Sequence, residues 1–249
     1  MTEFTTRIIK GGALLAETRR LLEVWDDVAP VDSNLDRIRT LNLLGLPSRA
    51  RAEDTLQILR QRFIDPETPL LQSLRFLSRD SSAFREACYY EATRNDDLLA
   101  FAAENVLYDW WELGRSSVST EQLERALVDT TPDPDLKAWR DSTRRRVVHG
   151  LLSAYRDFGI LEGKNNKRLT PPHLTFAGFA YVTGRLRQED AGDLLANPAW
   201  RRWLLEDHRV RALFLEADRF GLITYSEAGS VNRIDWAFDD LEEVVSAAL

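Results

Sequence analysis

The sequence predicts a mainly α-helical fold with small β-hairpins, and three observations carry that prediction. Apolar residues recur at helical spacing along much of the chain, capping residues stand just ahead of several such runs, and twice an aromatic-glycine pair ends a helix before two short apolar stretches. With 249 residues, 44% of them hydrophobic and 10% aromatic, the chain exceeds one typical domain and can bury a sizeable core. The reading divides it into a helical region, 1–114, and a C-terminal region, 115–249.

In the first region, Leu14, Leu15, Thr18, Leu21, Leu22 and Trp25 share one face of a helix set off by Gly11-Gly12. A short helix is expected from about Asp32 to Leu43. Gly45 and Pro47 then break the pattern, and Ser48 can cap a helix to about Arg62 that turns Ala52, Leu56, Leu59 and Phe63 inward. Helix, tight turn, helix is the result, a helix-turn-helix-like unit closed by Pro66 and Pro69. Residues 70–113 read as two or three further helices, with Trp110 and Trp111 as packing residues.

Small and polar residues from Gly114 to Val118 mark the boundary. Ser119 caps a helix over Thr120 to Val128, with Gln122 at the capping-box position, and Asp133-Pro134 opens a short helix through Arg140. Ser142 is expected to cap a longer helix whose inward stripe is Val147, Val148, Leu151, Leu152, Tyr155 and Phe158, with Arg145, Arg146, His149 and Arg156 on the other side. Gly159 ends that helix, and Ile160 to Leu169 follow as a hairpin around Gly-Lys-Asn-Asn-Lys. Farther on, Asn197-Pro198 repeats the cap-plus-proline device. A helix with Val210, Leu213, Phe214, Ala217 and Phe220 inside then leads through Gly221 to a second hairpin, Leu222 to Trp236. The stretch Ala154 to Leu161 aligns with Glu216 to Ile223, and Arg168-Leu169 with Arg233-Ile234. Helix, glycine reversal and two-stranded wing, occurring twice, predict tandem winged-helix-like units.

The chain carries a net charge of −7, which opposes nucleic-acid binding until its distribution is considered. Five acids and no base lie from Asp235 onward. Six arginines between Arg37 and Arg62 face only Glu53 and Asp54, and nine Lys or Arg between Leu136 and His173 face only Asp141, Asp157 and Glu162. Two basic windows thus sit in an acidic chain. Either is as readily a solvated helix face as a binding surface.

No catalytic centre is expected. His149, His173 and His208 lie far apart without metal-ligand spacing, and adjacent acids such as Asp26-Asp27, Asp96-Asp97 and Glu242-Glu243 diverge on their backbones. Gly11-Gly12 has neither a phosphate loop nor a dinucleotide fingerprint around it. The one cysteine, Cys88, sits in an apolar helical run, as a buried reduced thiol would. Charges interrupt every apolar run well before the ~20 residues of a membrane span. The expectation is a cytoplasmic protein with no cofactor, no metal, no membrane partner and no small-molecule substrate.

Phe4-Thr5-Thr6-Arg7-Ile8-Ile9-Lys10-Gly11-Gly12-Ala13-Leu14-Leu15-Ala16-Glu17-Thr18-Arg19 resembles the opening of the BrxA family, protein A of the bacteriophage exclusion (BREX) defence system. Ser48-Arg49-Ala50-Arg51, Trp139 to Arg144 ahead of Phe158 to Leu161, and Ala228 to Ile234 fall where that family has similar residues. The resemblance spans about residues 4–235. It implies a non-catalytic bacterial component acting beside a methyltransferase and an ATPase against phage, with helix-turn-helix-type folds associated with double-stranded DNA and a likeness to an RNA-binding antitermination protein.

On the DNA reading, the helix after Ser48 or the one after Ser142 enters the major groove while the adjoining loop or wing meets phosphate. The candidate contacts are Arg49 and Arg51 in the first unit, and Arg145, Arg146, Lys164, Lys167 and Arg168 in the second, with arginine suited to bidentate pairing and lysine to point-charge contact. The competing reading is a protein-docking module that meets other defence components. RNA binding is the third, although no aromatic-rich sheet motif of the common RNA modules is present.

Overall fold

The computed structural model describes residues 4–65, 70–189, 192–228 and 231–249. Four helices open the chain: α1 (Ile8–Gly11), α2 (Leu15–Val24), α3 (Val31–Thr40) and α4 (Arg49–Phe63). The α3–α4 turn is locked by Asn42, at φ +46°, whose amide accepts from Leu46 N at 3.0 Å and donates to Leu46 O at 2.9 Å. Ser48 then caps α4 by accepting from Arg51 N, and Ala52, Leu56, Leu59 and Phe63 are buried as the spacing predicts. Pro66 and Pro69 lie outside the described residues. Three helical segments follow: α5 (Leu71–Leu77), α6 (Ser81–Asn95), and α7 (Asp97–Ala102) running through a π-helical turn, Ala103–Leu107, into α8 (Tyr108–Glu112).

The second half opens with β1 (Ser117–Val118), α9 (Thr120–Thr130), α10 (Pro134–Ala138), α11 (Asp141–Asp157), β2 (Leu161–Glu162) and β3 (Lys167–Leu169). The three strands form one antiparallel sheet in the order β1-β3-β2, so the strand before α9 closes onto the hairpin after α11. The Ser119–Gln122 capping box and the Asp133 cap with Pro134 behind it both form. Ser142 does not cap α11. The helix begins two residues earlier than that cap would set it, with Arg140 at the N-cap, because Arg144 reaches back to the carbonyls of Lys137 and Trp139 and to Asp141 and closes the turn there.

Next come α12 (Phe176–Gln188), a 3-10 helix at Pro198–Trp203, α13 (Asp207–Arg219), the antiparallel hairpin β4 (Ile223–Ala228) and β5 (Val231–Trp236), and α14 (Leu241–Ala248). Phe158 is buried against Tyr89, with ring centroids 5.0 Å apart, but its aligned partner Phe220 is not inside as expected. Leu222 and Ile223 are buried after the α13 turn, while Phe220 is 68% exposed with its ring against Phe176. The acidic end is not a loose tail, since α14 buries Leu241, Val244 and Val245 against α12 and α5.

One contiguous apolar core runs from Phe4 to Val245. Contacts that cross residue 114 are intimate: Phe4 N donates to Asp133 at 2.7 Å, and α1 packs so closely on α11 that a Cβ at Gly150 would meet Ile8 O at 3.2 Å. Buried polar groups join α6 to α12. Arg185 Nε lies 2.9 Å from Glu91 Oε1, which also accepts from the Tyr181 hydroxyl at 2.9 Å.

At the start of α12, the Glu86 carboxylate accepts from Thr175 N at 3.1 Å and from the Thr175 hydroxyl at 2.5 Å. Burial pushes its pKa up to about 7; the Thr175 bonds and nearby Arg85 oppose the rise, and Asp80 reinforces it. A carboxyl raised in the folded state gives stability that is complete below its unfolded pKa and is lost as pH rises through about 7. Wild type should therefore lose Tm relative to Glu86→Gln between about pH 5 and pH 8, which a paired thermal-melt series checks. A constant difference across that range would refute the assignment.

Candidate nucleic-acid interface

The two basic windows fare differently once folded. In the first, every arginine has an intramolecular partner. Arg37 donates to Val24 O, Arg39 pairs with Asp36 at 2.8 Å, Arg60 pairs with Asp65 at 2.8 Å, and buried Arg62 donates to Gly12 O at 3.0 Å. Burial lowers the Arg62 pKa to about 10. Of the residues singled out from sequence, Arg51 is half-buried and donates to Lys10 O at 2.6 Å. Arg49 is 86% exposed, with Glu53 at 3.1 Å. A cleft at the start of α4 is lined by Arg39, Asn42, Ser48 and Arg49.

The second window presents cations differently. Arg145 and Arg146 lie on the exposed side of α11, with His149 one turn on, while Val147, Val148, Leu151 and Leu152 face the core. Arg144, only 20% exposed, is held by Asp141 and the two carbonyls behind it. Arg156 turns to its neighbour Asp157 at 2.7 Å. The side chains of Arg140, Arg146, Lys164 and Arg168 are exposed and have no hydrogen-bond or ion-pair partner among the described residues.

The β2–β3 hairpin turns through Gly163 at φ +87°, where a Cβ would stand 2.2 Å from Asn166 O, so only glycine closes this loop without displacement. Its tip projects Lys164, and Lys167 Nζ donates back to Lys164 O at 3.0 Å. Arg168 stands on the exposed face of β3 between Ser117 and Glu162. Between hairpin, β1 and the first turn of α9 lies a cleft of about 460 Å³, lined by Ser119, Gln122, Asn165, Asn166, Lys167 and Arg168. Arg145 and Arg146 thus share one unit with Lys164, Lys167 and Arg168, whereas Arg49 and Arg51 belong to a different helix pair.

Sequence reasoning passed over Arg140, whose place at the head of α11 was hidden by assigning the cap to Ser142. It also passed over Glu124, 3.9 Å from Arg145 Nε. In the repeated stretch nearer the end, Arg211 pairs with Glu227 at 3.3 Å and Arg233 with Asp235 at 2.8 Å, so that hairpin is electrostatically balanced. No group of three or more His, Cys, Asp or Glu able to hold a metal occurs among the described residues, and no described helix is long and apolar enough to cross a membrane.

The family model described as BrxA matches residues 2–183. No curated protein matches. Among solved structures, the chain is similar to that titled "Crystal structure of an uncharacterized protein from Magnetospirillum magneticum". The two are 19% identical with a TM-score of 0.60, over 82% of this chain and 98% of that one, a likeness that establishes fold alone.

Proposed function

The chain belongs to the BrxA family, which fits a component of a BREX-type phage defence system, and from that premise we propose that it binds double-stranded DNA through the α9–α11 unit. The observation that carries the reading is a set of exposed cations with no partner among the described residues, Arg140 at the N-cap of α11, Arg146 on that helix, and Lys164 and Arg168 on the hairpin beyond it. The order β1, α9, α10, α11, β2, β3, with β1 closing on β3, is the order a winged helix-turn-helix needs. On this reading α11 enters the major groove with Arg145 and Arg146. Lys164, Lys167 and Arg168 meet the backbone from the wing, and the first turn of α9 faces the same strand across the cleft. The engaged arginines of α3 and α4 make Arg49 and Arg51 the secondary candidates. Contacts of this kind read phosphate more than base, so little sequence preference is expected.

Four to six phosphate contacts give a log-log salt slope of roughly −4 to −5, a loss of a few hundred-fold in affinity between about 50 and 200 mM salt. Fluorescence anisotropy with a labelled random-sequence duplex measures it. Changing Arg145, Arg146, Lys164 and Lys167 together to alanine should remove most of the binding and flatten the slope, while Arg49→Ala with Arg51→Ala should leave both nearly unchanged. The reverse result would move the interface to α4. No binding at low salt would sink the DNA reading for the isolated chain. Docking onto other defence components attaches better to the second unit, α13 with β4 and β5, where the hairpin arginines are paired and Phe220 and Leu215 are 68% and 44% exposed.

A further inference from the structure

We propose that Glu121 and Glu124 on α9 are charge guards of the α11 face, acidic side chains that hold Arg145 back from phosphate and so limit binding to duplexes of arbitrary sequence. The inference rests on the DNA reading above. Glu124 is 19% exposed and lies 3.6 Å from Arg144 Nε and 3.9 Å from Arg145 Nε, ion-pair distances rather than hydrogen bonds. Arg144 is already held by Asp141 and two carbonyls, so the carboxylate is not its sole partner. Arg145 is 62% exposed and has no other ion-pair partner among the described residues, so Glu124 is what opposes its charge.

Glu121 stands one turn earlier on the same side of α9 and is exposed. Its carboxyl lies below the usual range, chiefly through its own backbone amide and the Ser119 hydroxyl, with Arg145 and His149 adding to the effect. Glu124 thus reaches the surface that α11 presents, and Glu121 adds a second carboxylate one turn before it on α9. A carboxylate offers an arginine the same planar pair of acceptors that a phosphate does, so a guarded arginine must exchange one partner for the other and gains little net energy. A carboxylate left beside the incoming backbone also repels it. One consequence is fewer counterions released per binding event than the number of cations suggests.

The test uses the full chain and the labelled random duplex at about 100 mM salt. Glu121→Gln with Glu124→Gln should tighten binding roughly 5–20-fold and steepen the salt slope by about 1. Glu242→Gln, on α14, makes half the charge change far from the face in sequence and should shift affinity less than about 2-fold. Because Glu124 is partly buried, Glu121→Gln alone is measured as well, with thermal melts to verify folding, and a gain of about 2–4-fold is expected. If the acid variants bind no tighter, or the gain matches the Glu242→Gln control, the guard role is overturned. Should the alanine variant of Arg145, Arg146, Lys164 and Lys167 still lose binding, the DNA reading survives that failure. Absence of binding by wild type and every variant sinks both.

Discussion

Truncating Arg185 to alanine should destabilise the fold by about 3–5 kcal/mol, because it strands a buried carboxylate. Arg185 is 5% exposed and Glu91 fully enclosed, their 2.9 Å pair joining α12 to α6. Among the described residues Glu91 would keep Arg94, at 3.3 Å, and the Tyr181 hydroxyl. Removing one partner costs the surviving charge its compensation, whereas removing both together need not. The double change Arg185→Met with Glu91→Leu should therefore recover most of the loss in urea-unfolding midpoints. A single Arg185→Ala variant as stable as wild type would show that the pair is solvated in solution.

Trp200→Ala is expected to cost a similar amount, about 3–5 kcal/mol, through lost contacts and a large residual void. Its indole is 2% exposed, stacks on Phe179 at 5.6 Å and meets Phe214 edge-on at 6.2 Å. The indole N–H also donates to Leu194 O at 2.6 Å, which fixes the segment leading into α13. A Tm drop on the order of 10 °C follows for a chain of this size. Trp200→Phe keeps the ring but abandons the Leu194 carbonyl, so it should fall between the two. An unchanged melt for the alanine variant would mean that the cluster collapses into the gap at little cost.

Elements announced by local chemistry were legible in the sequence. The caps Ser48, Ser119 and Asp133 each form where the side chain and the following spacing predict, because capping involves residues only two or three positions apart. Helix α12 escaped notice since it is buried on almost every side and shows no polar face for periodicity to reveal. Strand β1 is two residues long and exists only through its pairing with β3, about fifty positions away. Helix α14 did leave a trace, Leu241, Val244 and Val245 behind Asp240, but the run of acids from Asp235 onward masks it.

The candidate interface was legible as charge and illegible as availability. Arg51 and Arg168 look alike in sequence, yet one is bound to a carbonyl 41 positions away and the other is open. Which cations remain available is settled by tertiary partners. The same reason separates the two hairpins, whose sequences align while only the second closes on its own acids.

Because α1 braces the back of α11 at Gly150, the backbone under Arg145 and Arg146 is ordered before any partner arrives. Beyond the translational and rotational freedom that any association forfeits, binding at that face costs side-chain freedom, about 0.5–1.5 kcal/mol for each long side chain brought to rest, with no folding entropy to overcome. A face braced in this way is pre-organised for the DNA contacts proposed above, since none of the interaction energy there is spent on ordering backbone.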